Sequence, residues 1–129
     1  MTHSKNPFRR LDWPLFLADV ALLYYFFNLP PDQLPEALIE VNDKLLHFLN
    51  FLLLPLLAFR AFARSRSTVF HRLSQAKAVT FSLLYGALLE WTQLSVPGRS
   101  ASFEDWLADF AGTLVASGIF WISRLTAPM

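Results

Sequence analysis

The sequence predicts an all-α, polytopic membrane protein: a compact bundle of four transmembrane helices with both termini cytoplasmic. Three observations predict it. Apolar residues make up 54% of the 129-residue chain and charged residues only 16%, where an ordinary soluble domain carries about 25% charged residues. The apolar residues gather in four blocks, residues 13–29, 45–62, 78–94 and 106–122, each near the ~17–25 residues that a helix needs to cross a bilayer. Basic residues are shared unevenly among the segments between the blocks. Lys5, Arg9 and Arg10 precede the first block. Arg64, Arg66, Arg72 and Lys77 fill the second connection, and Arg124 follows the last block. The other two connections hold only Lys44 and Arg99, among Asp32, Glu36, Glu40, Asp43, Glu104 and Asp105. An excess of Lys and Arg marks the cytoplasmic side, so the acidic connections face outward.

A soluble four-helix bundle is the competing class. It needs a polar face on every helix, and no block has one. The blocks do carry ionisable groups, and a charge at a helix centre costs about 2.5–3.5 kcal/mol on insertion. The flanking Leu, Ile, Phe and Val, at about −0.3 to −0.6 kcal/mol each, offset that. There is no cysteine, which excludes a disulfide framework, a thiolate nucleophile and a sulfur-ligated metal. A net charge of +1 by itself says nothing about nucleic acid, but no nucleic-acid partner is expected, because the Arg-rich connection is short and tethered at both ends. The whole chain, 1–129, reads as one membrane domain.

In order, Arg9 and Arg10 before an apolar run suggest a signal peptide, but no small-residue cleavage site follows. The first block is therefore expected to be an uncleaved helix, with Asp12 able to cap it and Pro14 tolerated in its first turn. Asp19 lies inside this block and faces the bundle as a structural hydrogen-bonding group or as a functional acid. Pro30 and Pro31 end the helix. Pro35 starts a short amphipathic turn over residues 36–41 at the interface. Asp43, His47 and Asn50 then share one helical face. Asp43 or Asn42 caps the second helix with His47 as an interfacial donor, or Asp43 orients His47 as an acid–base pair.

Pro55 is expected to kink the second helix. The Arg-rich connection over residues 60–77 is a topology signal and an anionic-lipid contact. The third helix carries Gly86, Glu90 and Gln93 on one face. Pro97 and Gly98 make the following turn. Ser102 and Asp105 match a capping box at the start of the fourth helix, which accounts for Asp105 but not for the deeper Glu90 and Asp109. Arg99 is the natural counter-charge. Gly112 and Ala116 offer a small-residue packing face.

The set Asp43, Lys44 and His47, then Glu90 and Gln93, then Pro97, Gly98 and Arg99, then Asp105 and Gly112, resembles the VanZ-like family of small bacterial integral membrane proteins. The resemblance is strongest over residues 42–118. This chain has Asp109 where the family pattern has asparagine. The resemblance implies a multi-pass protein of the bacterial cytoplasmic membrane, in a family associated with low-level resistance to the glycopeptide teicoplanin.

Two function classes follow. In the first, the chain is a non-enzymatic envelope protein that binds or protects a membrane lipid, a lipid-linked precursor or a cell-wall component at the outer face. Its binding residues are then Asp43, Lys44, His47, Glu90, Gln93, Arg99, Asp105 and Asp109, with Arg99 meeting a phosphate or carboxylate. In the second, it is a membrane-embedded hydrolase or transferase, with His47, Glu90 and Asp105 as candidate catalytic residues. No cofactor or metal site is expected, since a lone histidine without a ligand-spaced partner argues against zinc. Acids beside one histidine are nevertheless a donor set that a hard divalent cation accepts. An ion pair between Glu90 and Arg99 that serves folding alone accounts for the same residues. The pattern leaves the oligomeric state open.

Overall fold

The computed structural model describes residues 10–36, 43–98 and 102–126, and among these there are helices and turns but no strand. Helix α1 spans Asp12–Phe27, and a 3-10 turn follows at Pro31–Gln33. Helix α2 spans Asp43–Ala63, the short α3 Thr68–His71, α4 Ser74–Gln93 and α5 Phe103–Thr126. Each apolar block of the sequence therefore becomes one long helix. The interfacial turn expected over residues 36–41 lies almost wholly outside the described residues.

The four long helices alternate in direction. Asp12 at the start of α1 meets Arg60 near the end of α2, and Phe27 at the other end of α1 stacks on His47 near the start of α2. Gln93 at the end of α4 reaches the same Phe27. Asp109 near the start of α5 meets His47, and Phe120 further along α5 packs on Phe59 of α2.

Helix α2 is the central element, contacting each of the other long helices and α5 most extensively. Its Phe51, Leu54 and Ala58 are fully buried. The α2–α5 contact is close because Gly112 has no side chain: a Cβ there would lie 2.4 Å from the Phe48 carbonyl oxygen and 2.9 Å from the Leu52 nitrogen. Ala116, one turn on, is fully buried. Apolar surface gains little from leaving lipid, so van der Waals packing between small residues carries helix association in a membrane. The Gly112–Ala116 face is such a contact. Pro55 sits inside an uninterrupted α2.

Two elements depart from expectation. Asp12 does not cap α1: the cap position is Leu11, with no side-chain cap bond. Asp12 is instead buried in the first turn, with Arg60 Nε at 2.8 Å and Arg64 Nη1 at 3.6 Å. A partner at the far end of the next long helix outcompetes the local amide because it brings full charge. The second departure concerns the spans. Two of the described helices are long and apolar enough to cross a membrane, over Lys44–Ala63 (mean hydropathy 1.8) and Phe103–Ser123 (mean hydropathy 1.3). Helix α1 has 16 residues, about 24 Å at 1.5 Å per residue, against a hydrocarbon core of ~30 Å. Helix α4 starts at Ser74, ahead of its apolar block, so its first turn carries Ser74, Gln75 and Lys77. Leu73 just before it has φ 55°, and this left-handed residue turns the chain from α3 into α4. Lys77 Nζ donates to the Val69 carbonyl across that turn.

The outward faces are apolar. Leu17, Tyr25, Leu84, Trp91, Trp121 and Ile122 are all more than half exposed. An apolar surface of this breadth marks a membrane or partner contact, since soluble monomers rarely carry one.

Candidate functional site

Three helices end together at one end of the molecule, and each brings polar side chains inward there. His47 stands one turn into α2, where the 3.6-residue period turns it toward α5. Its ring is 1% exposed. Nδ1 lies 2.7 Å from Asp109 Oδ1 and 4.0 Å from Glu90 Oε1, while Nε2 lies 3.9 Å from Asp105 Oδ2. An ionised carboxylate only accepts hydrogen bonds, so with Asp109 ionised the imidazole donates from Nδ1. Phe27 covers the ring face, with centroids 4.5 Å apart and planes 27° from parallel. Four potentially charged groups from α2, α4 and α5 thus share one pocket of low polarity.

Local structure fixes each acid. Ser102 Oγ accepts from the Asp105 N–H at 3.0 Å, which is the expected capping bond and sets the first turn of α5. The Ser102 N–H in turn donates to Glu90 Oε2 at 3.1 Å. The other oxygen, Glu90 Oε1, is buried and takes no hydrogen bond among the described residues. Asp109 is one turn deeper than Asp105, and Thr113 Oγ1 donates to its carbonyl oxygen at 2.9 Å. Gly86 makes room for the Asp109 carboxylate: a Cβ there would come within 3.2 Å of Asp109 Oδ2 and 3.1 Å of the Phe51 ring.

The remaining candidate residues fall elsewhere. Gln93 is buried and its Nε2 donates to the Phe27 carbonyl at 2.9 Å, which ties α4 to the end of α1 and steadies the ring that covers His47. Lys44 pairs with Glu104 at 3.4 Å on the surface, both side chains more than half exposed. The Asp43 side chain and the whole of Arg99 lie outside the described residues. The expectation that Asp43 orients His47 therefore falls outside the described residues; among them, Asp109, 62 residues away, is in hydrogen-bond contact with the imidazole.

Beside the buried cluster is an open groove of about 460 Å³ between α4 and α5, lined by Ala87, Glu90, Trp91, Leu94, Ser102, Phe103 and Trp106. Trp91 and Phe103 are largely exposed. Its walls are aromatic, and Glu90 connects it to His47. Sequence reasoning passed over Phe27, Trp91, Phe103 and Trp106 as groove or cover residues. The available signal was a pair of tryptophans flanking one turn, the pattern of an aromatic belt at a membrane surface.

A family model described as VanZ/LLP1 matches residues 7–124. The chain belongs to the VanZ/LLP1 family. Neither curated proteins nor solved structures match it. Family and apolar helices together make this VanZ/LLP1 chain a membrane protein, and the polar cluster with its groove is its candidate site.

Proposed function

We propose that this VanZ/LLP1 protein crosses the bacterial cytoplasmic membrane four times, with both termini cytoplasmic. At its outer face it binds or protects a lipid-linked or cell-wall component. The observation that carries the reading is the aromatic groove with Glu90 on its wall and His47, Asp105 and Asp109 behind it. A lipid-linked ligand has an apolar part and a polar head. Trp91, Phe103 and Trp106 suit the first, and the cluster, with Arg99 nearby in the chain, suits the second. The short α1 and the polar first turn of α4 are compatible with spanning. A short helix is met by local thinning of the bilayer, and Arg and Lys at helix ends reach the head groups.

Orientation is tested with single cysteines at Ser100 and Ser67 in this cysteine-free chain. An impermeant maleimide is expected to label the first and not the second in intact cells, and the opposite pattern ends the proposed topology. Function is tested by expression in a susceptible host. Sensitivity to teicoplanin or another envelope-active agent is expected to change, and Trp91→Ala together with Trp106→Ala is expected to abolish the change at equal membrane expression. Unaltered sensitivity across such agents ends the envelope reading.

The 2.7 Å contact between His47 and Asp109 favours one second reading, an enzyme acting on the same class of ligand. A carboxylate that holds an imidazole in one orientation equips it as a general acid–base. Turnover of a lipid-linked precursor by the purified protein, lost in His47→Gln, separates this reading from plain binding.

A further inference from the structure

The donor atoms of His47, Glu90 and Asp109 lie within 4.8 Å of one another, although the three residues come from three helices and are 43 and 19 positions apart in sequence. First-row divalent ions hold nitrogen and oxygen donors at about 2.0–2.2 Å. Donors around one ion are therefore about 3–4.4 Å apart. The 4.0 Å between His47 Nδ1 and Glu90 Oε1 falls in that range, and the 2.7 Å hydrogen bond from Nδ1 to Asp109 would open as an ion takes the place of its proton.

A second observation points into the same space. Glu90 is about nine-tenths buried, and its Oε1 takes no hydrogen bond among the described residues. Leaving a buried acceptor without a donor is unfavourable. That oxygen faces the imidazole at 4.0 Å, too far for a hydrogen bond and suited to sharing an ion. Charge agrees. Among the described residues, three carboxylates, those of Glu90, Asp105 and Asp109, surround one imidazole, and even a protonated imidazole offsets only one of them. Arg60 and Arg64 do not serve this cluster: Asp12 engages them at the opposite end of α2.

We propose that His47, Glu90 and Asp109 bind one divalent cation, reached from the aromatic groove past Glu90, with the Asp105 carboxylate beside it. One imidazole with two carboxylates is a mixed set that suits Mn²⁺, Fe²⁺ or Zn²⁺ better than the all-oxygen set preferred by Ca²⁺. The cation offsets the excess negative charge and fixes the ends of α2, α4 and α5 to one another. This goes beyond the envelope reading and does not rest on it.

The test uses the full chain in detergent, stripped with a chelator and titrated with Mn²⁺. Loss of the free-ion paramagnetic resonance signal reports binding. One saturable Mn²⁺ per chain is expected, and the bound ion should show coupling to an imidazole nitrogen. His71→Gln should keep that coupling, since His71 stands by the basic connection. Losing even an outer partner of a metal ligand costs about 10–100-fold in affinity, so Glu90→Gln and Asp109→Asn should each weaken Mn²⁺ by about tenfold or more. Asp12→Asn should leave it unchanged. Absence of saturable binding by the unaltered chain overturns the proposal without reference to any variant. So does a bound ion with no nitrogen coupling, or equal affinity in folded Glu90→Gln. Mn²⁺ binding that persists in a chain with no envelope phenotype overturns the envelope reading alone.

Discussion

The molecule buries acidic side chains at both ends and treats them differently. At one end Asp12 directly precedes an aromatic cluster, with Trp13 edge-on to Phe16 and Phe70, and Phe62 packed against all three. Its carboxylate is met by Arg60 and Arg64, which remain partly exposed. One acid meets two cations, and the cations keep contact with water or head groups. At the other end, among the described residues, three acids meet one imidazole, and all four residues are at least nine-tenths buried. The first arrangement lowers its own energy and holds α1 to α2. The second keeps charged groups close together where solvation is poor, which is costly unless a ligand or ion completes it. Stability alone accounts for the arginine end. The carboxylate end is where a ligand or ion has something to add.

The comparison is open to direct tests. Glu90→Gln keeps the shape of the side chain and removes its charge. It is expected to fold and insert normally while losing nearly all of any envelope phenotype, read as drug sensitivity at matched membrane expression. Asp12→Asn is expected to retain the phenotype. If the two variants exchange these outcomes, the assignment of function to the carboxylate end fails. If Glu90 serves only to pair with Arg99, Glu90→Gln should instead lose thermal stability in detergent, and adding Arg99→Gln should restore part of it.

Gly112→Ala comes next in size. The added methyl meets backbone of α2, which cannot swing aside as a side chain can. Overpacking of this kind costs about 1–3 kcal/mol, and it should push α5 from α2 and lengthen the His47–Asp109 contact. The variant is expected to lower the detergent melting temperature and to weaken function as well. A variant as stable as the parent would show that the α2–α5 approach is looser than the structure has it.

At the arginine end, Asp12→Asn leaves a neutral amide beside two guanidinium groups. Because Arg60 and Arg64 are partly exposed, screening reduces the loss to about 1 kcal/mol or less. A double-mutant cycle with Arg60→Gln should show coupling that shrinks as salt is added. Coupling of several kcal/mol would place this pair in a drier setting than its exposure implies. The smallest effect belongs to the surface pair Lys44–Glu104. Lys44→Gln is expected to change the melting temperature by an amount near the measurement error, since such pairs contribute about 0–1 kcal/mol. A large loss would bring Lys44 into the buried site.

The sequence by itself determined the helices and several of their local devices. Long apolar blocks leave an α-helix as the simplest way to satisfy every backbone group in lipid, and the four blocks did become the four long helices. The Ser102–Asp105 cap, the turn at Gly98 with φ 79° and the close approach at Gly112 are short-range or steric properties of residue types. The resemblance carried by His47, Glu90, Gln93 and Asp105 likewise pointed to the family. What only the tertiary structure decided is who meets whom. Periodicity put Asp43 and His47 on one face, and it could not show that Asp109, on another helix, hydrogen-bonds His47. Asp12 looked like a local cap and became the partner of two arginines some fifty residues away. Phe27 carried no signal of any role, yet it covers the imidazole. Spacing along a helix constrains only residues within a turn or two. The rotation of one helix against another is set by how side chains such as Phe51 and the gap at Gly112 fit together, and that fit exists only once all the helices are in place.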